Sequence, residues 1–436
     1  MGTIQRWIAT SGFWSMSDQA IVSLGNFLLT VMLARCMSKT EYGVYVVTLG
    51  ALLVGNAIHS ALIAYPVSVI GAHVVPREIG QFASNAVLVT YVFALPVIGV
   101  LGAATWVLSK HSDLYLFVIG AMLCWQTHET VRRCLMSQLR HKATIFGDAV
   151  AYLGQIALVL FLTFRHVQMR AQIGFMAIMV ASLAGAVVHA SMIGLRTPAF
   201  SSAVSLGRES IRLGRWSLFS VLGYWGTVSL LPWVLALRSL AEVANYQTMM
   251  NVVQVVNPVM FSVSNLVIPS VAHELRKPDG DRGARRITFV YMLQGLVILA
   301  PLFMGILLAP AFIMRFLYGR AAGYAENDAV LRILVIGGLA TYMGHILTAY
   351  FFGRKDVEIV GRVQIAATAA ALVCAPLLIP EWGVTGAALT FVAMGITRSG
   401  LLMAALWRSH KEQEQEEFIP QELYIETSPI PPTDGL

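Results

Sequence analysis

Charge is scarce in this chain: Lys, Arg, Asp and Glu together make up 12% of its 436 residues, where a soluble globular protein carries about 25%. With 57% apolar residues and a mean hydropathy of +0.70, the apolar stretches are too long and too numerous to face inward on one another. A soluble multidomain enzyme and a disordered scaffold are therefore excluded. Cysteine is scarce as well. Cys36, Cys124, Cys134 and Cys374 lie scattered in or beside apolar segments, with no CxxC and no His/Cys cluster, so neither disulfides nor a zinc site is expected. Paired carboxylates, a Ser-His-Asp set, metal-ligand spacing and a phosphate-cradling glycine loop are all missing. The connecting segments are short, generally under about 20 residues, which leaves no room for a catalytic domain. The sequence thus argues against an enzyme and calls for no cofactor and no metal. The first residues, MGTIQRWIATSGFW, hold one basic residue and no small-residue cleavage site after a short apolar core, so they are read as retained rather than as a removable signal.

Long apolar stretches are what the chain does have. A helix needs about 20 apolar residues to cross roughly 30 Å of hydrocarbon, and twelve stretches qualify: 12–33, 43–70, 84–108, 114–136, 146–164, 172–194, 216–237, 244–271, 287–312, 329–352, 360–379 and 384–406. The expected fold is all-α and integral to the membrane, with about 12 transmembrane helices, because only closed backbone hydrogen bonding survives in lipid. The fourth and fifth stretches are the weakest. Their shared loop, ETVRRCLMSQLRHKATIFGD, reads as helix ends projecting into a basic aqueous face.

The basic residues are unevenly distributed, and this accounts for a net charge of +7 that would otherwise suggest a nucleic-acid binder. Connections on the N-terminal side of the stretches carry twenty of the thirty Lys and Arg, the opposite connections carry eight, and Arg332 and Arg398 fall inside stretches. Cytoplasmic loops hold the excess of Lys and Arg. Both termini are therefore expected in the cytoplasm, and no nucleic-acid partner is expected. After Trp407 the composition turns acidic and proline-containing, RSHKEQEQEEFIPQELYIETSPIPPTDGL. Such a segment cannot bury enough apolar surface to offset its ordering entropy, so 408–436 is expected to be a disordered cytoplasmic tail.

An internal repeat organises the rest. At an offset of 202 residues, Gly12 to Ala34 lies on Gly214 to Ala236, with Gly, Trp, Ser, three Leu and Ala coinciding. The twelve stretches divide six and six around the basic loop 195–215. An even number of spans per copy makes the copies parallel, related by an axis along the membrane normal. The expectation is two six-helix bundles, 1–200 and 201–407, around a central cavity, with access alternating as one bundle rocks against the other. Bend points are available at Gly25, Pro66, Pro96, Pro232, Pro258, Pro269, Pro301 and Pro376.

Two segments resemble a known family. DQAIVSLGNFLLTVMLARCMSKTEYGVY, with Asp18, Gln19, Asn26, Ala34, Arg35, Ser38, Glu41, Tyr42 and Gly43, is similar to the first-span signature of the polysaccharide and O-antigen (Wzx-like) flippases of the multidrug/oligosaccharidyl-lipid/polysaccharide (MOP) exporter superfamily. The ETVRRCLMSQLRHKATIFGD segment resembles the family's fourth-span ending through Glu129, Arg132, Arg133, Arg140 and Asp148. The resemblance implies a MATE-like fold in a bacterial inner membrane. It also implies transfer of an undecaprenyl-diphosphate-linked oligosaccharide from the cytoplasmic to the periplasmic leaflet, for O-antigen, capsule or exopolysaccharide synthesis. Implied partners are that lipid-linked oligosaccharide, membrane lipids, H+ or Na+ as coupling ion, and a polysaccharide polymerase with its chain-length proteins. A cation-coupled multidrug antiporter on the same fold is the alternative.

Charges inside the membrane are the candidate site. A charge at the bilayer centre costs about 2.5 to 3.5 kcal/mol on insertion scales, so one that persists faces a cavity or a partner. Arg398 and Asp18 lie near the middle of the twelfth and first stretches; either Arg398 meets a phosphate while Asp18 binds a proton or cation, or the two pair with each other. Glu129 stands at helical spacing from Arg132 and Arg133, so it can pair with either and leave one arginine over. A guanidinium fork suits the diphosphate that the resemblance implies, and headgroup anchoring is the competing role. His59, His189 and His345 lie within stretches and can carry a proton or hydrogen-bond across helices. Arg35 and Arg238, at the far ends of spans 1 and 7, either guide substrate or snorkel to the interface. The candidates are therefore Arg132, Arg133, Arg398 and Arg35 for substrate, Asp18 and His59 for ion coupling, and Glu129 as a structural ion-pair partner.

Overall fold

A computed structural model describes the backbone of residues 2–109, 112–278, 280–319, 323–324 and 328–417. The regular structure of these residues is helical: α1 (Gly2–Cys36), α2 (Lys39–Gly71), α3 (Ile79–Ser109), α4 (Ser112–Ser137), α5 (His141–Phe164), α6 (Ala171–Ile193), α7 (Phe200–Ala236), α8 (Leu240–Glu274), α9 (Gly280–Leu308), a short α10 (Pro310–Tyr318), α11 (Asp328–Arg354) and α12 (Val357–Glu417). Among the described residues, nine segments are long and apolar enough to cross a membrane. One of them, Val357–Arg408, turns at Gly383, where φ is 52°, and so holds the last two stretches. The remaining two stretches lie on α4, which is rich in polar groups, and on the C-terminal part of α7. The protein is a multi-pass membrane protein. Large apolar side chains such as Leu95, Val100, Phe161, Phe164, Val297 and Ile298 stand exposed on α3, α5 and α9, as a lipid-facing surface requires.

The ninth stretch, expected to run unbroken to residue 312, stops at Ala309. Pro310 starts a new helix there, because the residue before a proline is driven out of the helical region. Prolines also mark the two internal irregularities. Pro66 follows a π turn at Ser60–Ala64 in α2, and Pro258 follows a 3₁₀ turn at Gln254–Val256 in α8. Each sits where its missing N–H is least needed. The helix of α12 continues through Glu417, so residues 408–417 are helical rather than part of a disordered tail; residues 418–436 lie outside the described residues.

Packing repeats along the chain. In the first half α1 lies on α5, while α4 and α5 lie on α6; in the second, α7 and α11 lie on α12, and α8 lies on α11. The turn after the first helix of each half is built alike. Ser38 caps α2 by accepting from Glu41 N, and Ser239 caps α8 by accepting from Ala241 N, with Glu41 and Glu242 at the third helical position. The capping-box spacing S-x-x-E thus occurs twice. Arg35 donates to the carbonyls of Leu317 and Phe316 at the end of α10, and Arg238 donates to those of Ile379 and Pro380, where α12 approaches its turn. Both satisfy carbonyls left over near a helix C-terminus.

The halves meet along α2, which packs on α7 and α8. Glycine permits this contact: a Cβ on Gly43 would collide with Leu240 O, and one on Gly214 with Ala61 O. Hydrogen bonds that cross between halves gather at mid-depth and toward the α1–α2 turn. Trp233 Nε1 donates to Val47 O (3.2 Å), Lys39 Nζ to Gly323 O (3.0 Å), and Asn251 Nδ2 to Tyr42 Oη (3.2 Å). The two halves are therefore joined at the end remote from the basic loops.

Candidate functional site

The four helices α1, α4, α5 and α6 enclose a cluster of ionisable side chains within about 14 Å of the basic end of α4 to α6, at 1.5 Å per residue. The sequence of α4 dictates half of it: His128 and Arg132, four residues apart, share one face, and Glu129 and Arg133 share the next. Arg132 sits at the centre and is 4% exposed. Its Nε donates to Asp148 Oδ2 on α5 (2.6 Å), Nη1 to Glu129 Oε2 (3.2 Å), and Nη2 to Asp18 Oδ2 on α1 (2.5 Å). Arg133 Nε donates to Glu129 Oε1 at 2.5 Å, with its side chain 37% exposed. Three carboxylates thus face two guanidiniums in a buried site, where unpaired charge is costly.

Two histidines complete the cluster. His128 Nε2 lies 3.2 Å from Asp148 Oδ1, and His189 Nε2, from α6, lies 3.9 Å from the same oxygen. The imidazoles stack with centroids 4.8 Å apart and an interplanar angle of 21°. Their room is made by glycine. A Cβ on Gly147 would collide with His189 Nε2, and one on Gly185 would lie 2.9 Å from His128 Cδ2. His189 Nε2 is 2.9 Å from Thr144 O; a carbonyl only accepts, so this nitrogen carries the hydrogen. Both nitrogens of His128, Nδ1 of His189, and Oδ1 of Asp148 and of Asp18 have no hydrogen-bond partner.

His128, Asp148 and His189 are also the group of side chains closest to a metal-ligand set among the described residues, with one ligand atom each, all within 4.8 Å of one another. Their arrangement suits a metal poorly. His189 Nε2 already donates to Thr144 O, whereas a zinc ligand must present a free lone pair to the metal. Asp148 is also already committed to Arg132.

Several sequence expectations change here. Asp18 lies eighteen residues, about 27 Å, from the end of α1 at Cys36, so it is in the third of a roughly 30 Å core nearest the basic loops and not at its middle. Its partner is Arg132, not Arg398. Arg132 is buried and held by three carboxylates, which removes it from the aqueous face where the loop reading put it. Glu129 pairs with both arginines rather than leaving one over. Arg35 bonds the carbonyls at the end of α10. His59 Nε2 bonds Thr130 Oγ1 at 2.9 Å, which in turn meets Thr90 Oγ1 at 2.9 Å, beside a small cleft lined also by Gln126. Arg398, on α12, donates from Nη2 to Thr348 Oγ1 (3.1 Å), and its stem lies over Gly344 of α11. His345, on α11, meets the edge of Phe261. The sequence reading gave no role to His128. The signal was present, because His128 stands four residues before Arg132, on the same helical face as that arginine.

No protein-family model matches the chain, and no curated protein matches it in sequence. Solved structures match it in fold. A multidrug resistance MATE family transporter of the MOP superfamily in its inward-facing conformation is 13% identical, with 91% of this chain and 96% of that one covered and a TM-score of 0.67. The lipid II flippase MurJ in an inward closed conformation is 12% identical, with 90% and 87% covered and a TM-score of 0.70. A MOP superfamily transporter from Pyrococcus furiosus, described by the reverse polarity of its binding pocket, is 12% identical, with 93% and 95% covered and a TM-score of 0.57. The chain has the fold of the MATE and MurJ transporters.

Proposed function

We propose that the protein is a flippase that carries an undecaprenyl-diphosphate-linked oligosaccharide from the cytoplasmic to the outer leaflet of a bacterial inner membrane, for assembly of a surface polysaccharide. The observation that carries this reading is the state of the intramembrane carboxylates. Asp18, Glu129 and Asp148 are each bonded to an arginine, whereas a pump for organic cations needs accessible negative charge. Arg133, partly exposed on α4, and Arg398, on α12, are the cations fitted to a diphosphate. Arg132 is not among them.

In this account residues 1–200 and 201–407 are parallel halves that rock about α2, with both termini cytoplasmic. The lipid tail stays in the bilayer, a coupling ion, H+ or Na+, drives the cycle, and a polymerase takes up the product. The sequence resemblance to O-antigen flippases and the fold likeness to a lipid II flippase both support the reading. The likeness to MATE transporters favours the second reading, a cation-coupled drug antiporter.

Binding tests the site. Undecaprenyl diphosphate is expected to bind the purified protein about tenfold more weakly after Arg133→Ala or Arg398→Ala, the equivalent of roughly 1.4 kcal/mol for each charge-assisted contact. Unchanged affinity in both variants removes these arginines from the site.

A further inference from the structure

Between Asp18 and Thr30, α1 presents three different faces. At 3.6 residues per turn, Asp18, Gly25 and Leu29 share one face, which is buried, with Gly25 on Tyr152 of α5. Ala20, Leu24 and Leu28 share a second, which is exposed and apolar, as lipid requires. Gln19, Ser23, Asn26 and Thr30 recur at intervals of four, three and four, so they form a line on a third face; the first three are exposed and Thr30 is half-buried. The line is about 16 Å long, and its ends lie about 25 and 9 Å from the end of α1 at Cys36, within the depth of a roughly 30 Å core. Carboxamides and hydroxyls exposed at this depth need water or a polar partner, because hydrocarbon satisfies none of them. Thr30 bonds back to the carbonyls of Asn26 and Phe27. No hydrogen bond ties the Gln19 or Asn26 carboxamide to another described residue. The halves are joined at the end remote from the basic loops, where α1 packs on the Leu240–Val253 part of α8. Below that contact α8 also exposes uncharged polar groups, Ser262 and Asn265.

We propose that this line on α1 is a carbohydrate-binding wall of the gap between the halves, where Gln19, Ser23 and Asn26 hydrogen-bond the hydroxyl groups of the cargo's sugar chain. The inference rests on the flippase reading. The residue types favour a sugar. A carboxamide offers an acceptor oxygen and two donor hydrogens, and a hydroxyl both donates and accepts, which matches neighbouring sugar hydroxyls that do both. None of the four residues carries charge, so the wall gives an organic cation nothing to pair with, and Asp18 beside it lies on the buried face, bound to Arg132. Water satisfies the same groups when the gap is empty, so exchanging it for sugar hydroxyls is nearly balanced in free energy. Contacts of this kind select a headgroup without trapping it. The length of the line admits more than one sugar ring. A second copy of the chain packed on this face would satisfy the same carboxamides by hydrogen bonds between helices, but it would also hide them from water.

Cysteine labelling tests the wall in two steps. Gln19→Cys, Ser23→Cys, Asn26→Cys and, as controls, Ala20→Cys, Leu24→Cys and Leu28→Cys are made in a chain whose native cysteines are replaced, and each is treated in nanodiscs with a water-soluble maleimide. The first three are expected to react at least about tenfold faster than the controls, because the reagent needs a hydrated thiolate. Equal rates, or a polar face as unreactive as the apolar one, overturn the proposal. The labelling is then repeated with lipid-linked oligosaccharide extracted from the cell that makes the protein, and with bare undecaprenyl diphosphate. The sugar-bearing lipid is expected to slow labelling of the polar face and the bare lipid to leave it unchanged; equal protection by both overturns the proposal. If the cysteine-free chain fails to fold, affinities decide instead. Gln19→Leu/Asn26→Leu in the native-cysteine chain is expected to weaken binding of the sugar-bearing lipid about tenfold, the loss of two hydrogen bonds, and to leave that of the bare lipid unchanged, whereas unchanged affinity for the sugar-bearing lipid overturns the proposal. Binding of both lipids with the polar face unprotected removes this inference and leaves the flippase reading standing. Binding of neither lipid removes both.

Discussion

Arg132 commits all three guanidinium nitrogens to carboxylates on α1, α4 and α5, so it holds three helices of the first half together and is closed to a substrate. Removing one partner of a buried ion-pair network leaves charge without compensation and costs about 3–5 kcal/mol, whereas a partly exposed pair is worth about 1 kcal/mol or less. Arg132→Leu is therefore expected to lower the detergent unfolding temperature sharply, while Arg133→Leu changes it little; equal, small shifts in the two variants would contradict this ordering. The sequence shows the local half of the arrangement. Glu129, Arg132 and Arg133 lie at helical spacings, and their pairing follows from that alone. Which distant groups meet Arg132 depends on how α1 and α5 pack, and a single sequence carries no signal that brings Asp18 and Asp148 together rather than Asp18 and Arg398.

Helices were legible wherever apolar length was the deciding quantity, and less so where backbone chemistry intervened. Proline stops α9 one turn early at Ala309, and Gly383 turns α12 with a positive φ that a side chain would strain. The tail's acidic composition argued for disorder from residue 408, yet α12 runs on to Glu417, since Glu, Gln and Lys are good helix formers when a helix already leads into them. The repeated caps give a prediction at this scale. Ser38→Ala and Ser239→Ala each remove one hydrogen bond to an N-terminal N–H of α2 or α8 and are expected to cost about 1 kcal/mol, read as a loss of amide-exchange protection confined to the first turn of the affected helix. Uniform loss across the molecule would show that the caps act otherwise.

Across the whole molecule, two sets of helices with the same packing order are joined along α2 and tied together at the end remote from the basic loops, where Arg35, Lys39 and Asn251 reach across. The internal match between Gly12–Ala34 and Gly214–Ala236 aligns α1 with α7, which open the two sets. The chemistry of the cargo was not visible in the same way. The same fold serves multidrug and lipid transporters among the structures it resembles, so the sign of the accessible charge must discriminate. Here Asp18, Glu129 and Asp148 are bound to arginines. The most direct test is translocation in proteoliposomes of fluorescently tagged undecaprenyl-diphosphate oligosaccharide, with efflux of a cationic dye measured in parallel. Lipid-linked sugar reaching the far leaflet without dye efflux is the predicted result; dye efflux without lipid-linked transfer would contradict the account and make the protein a drug antiporter.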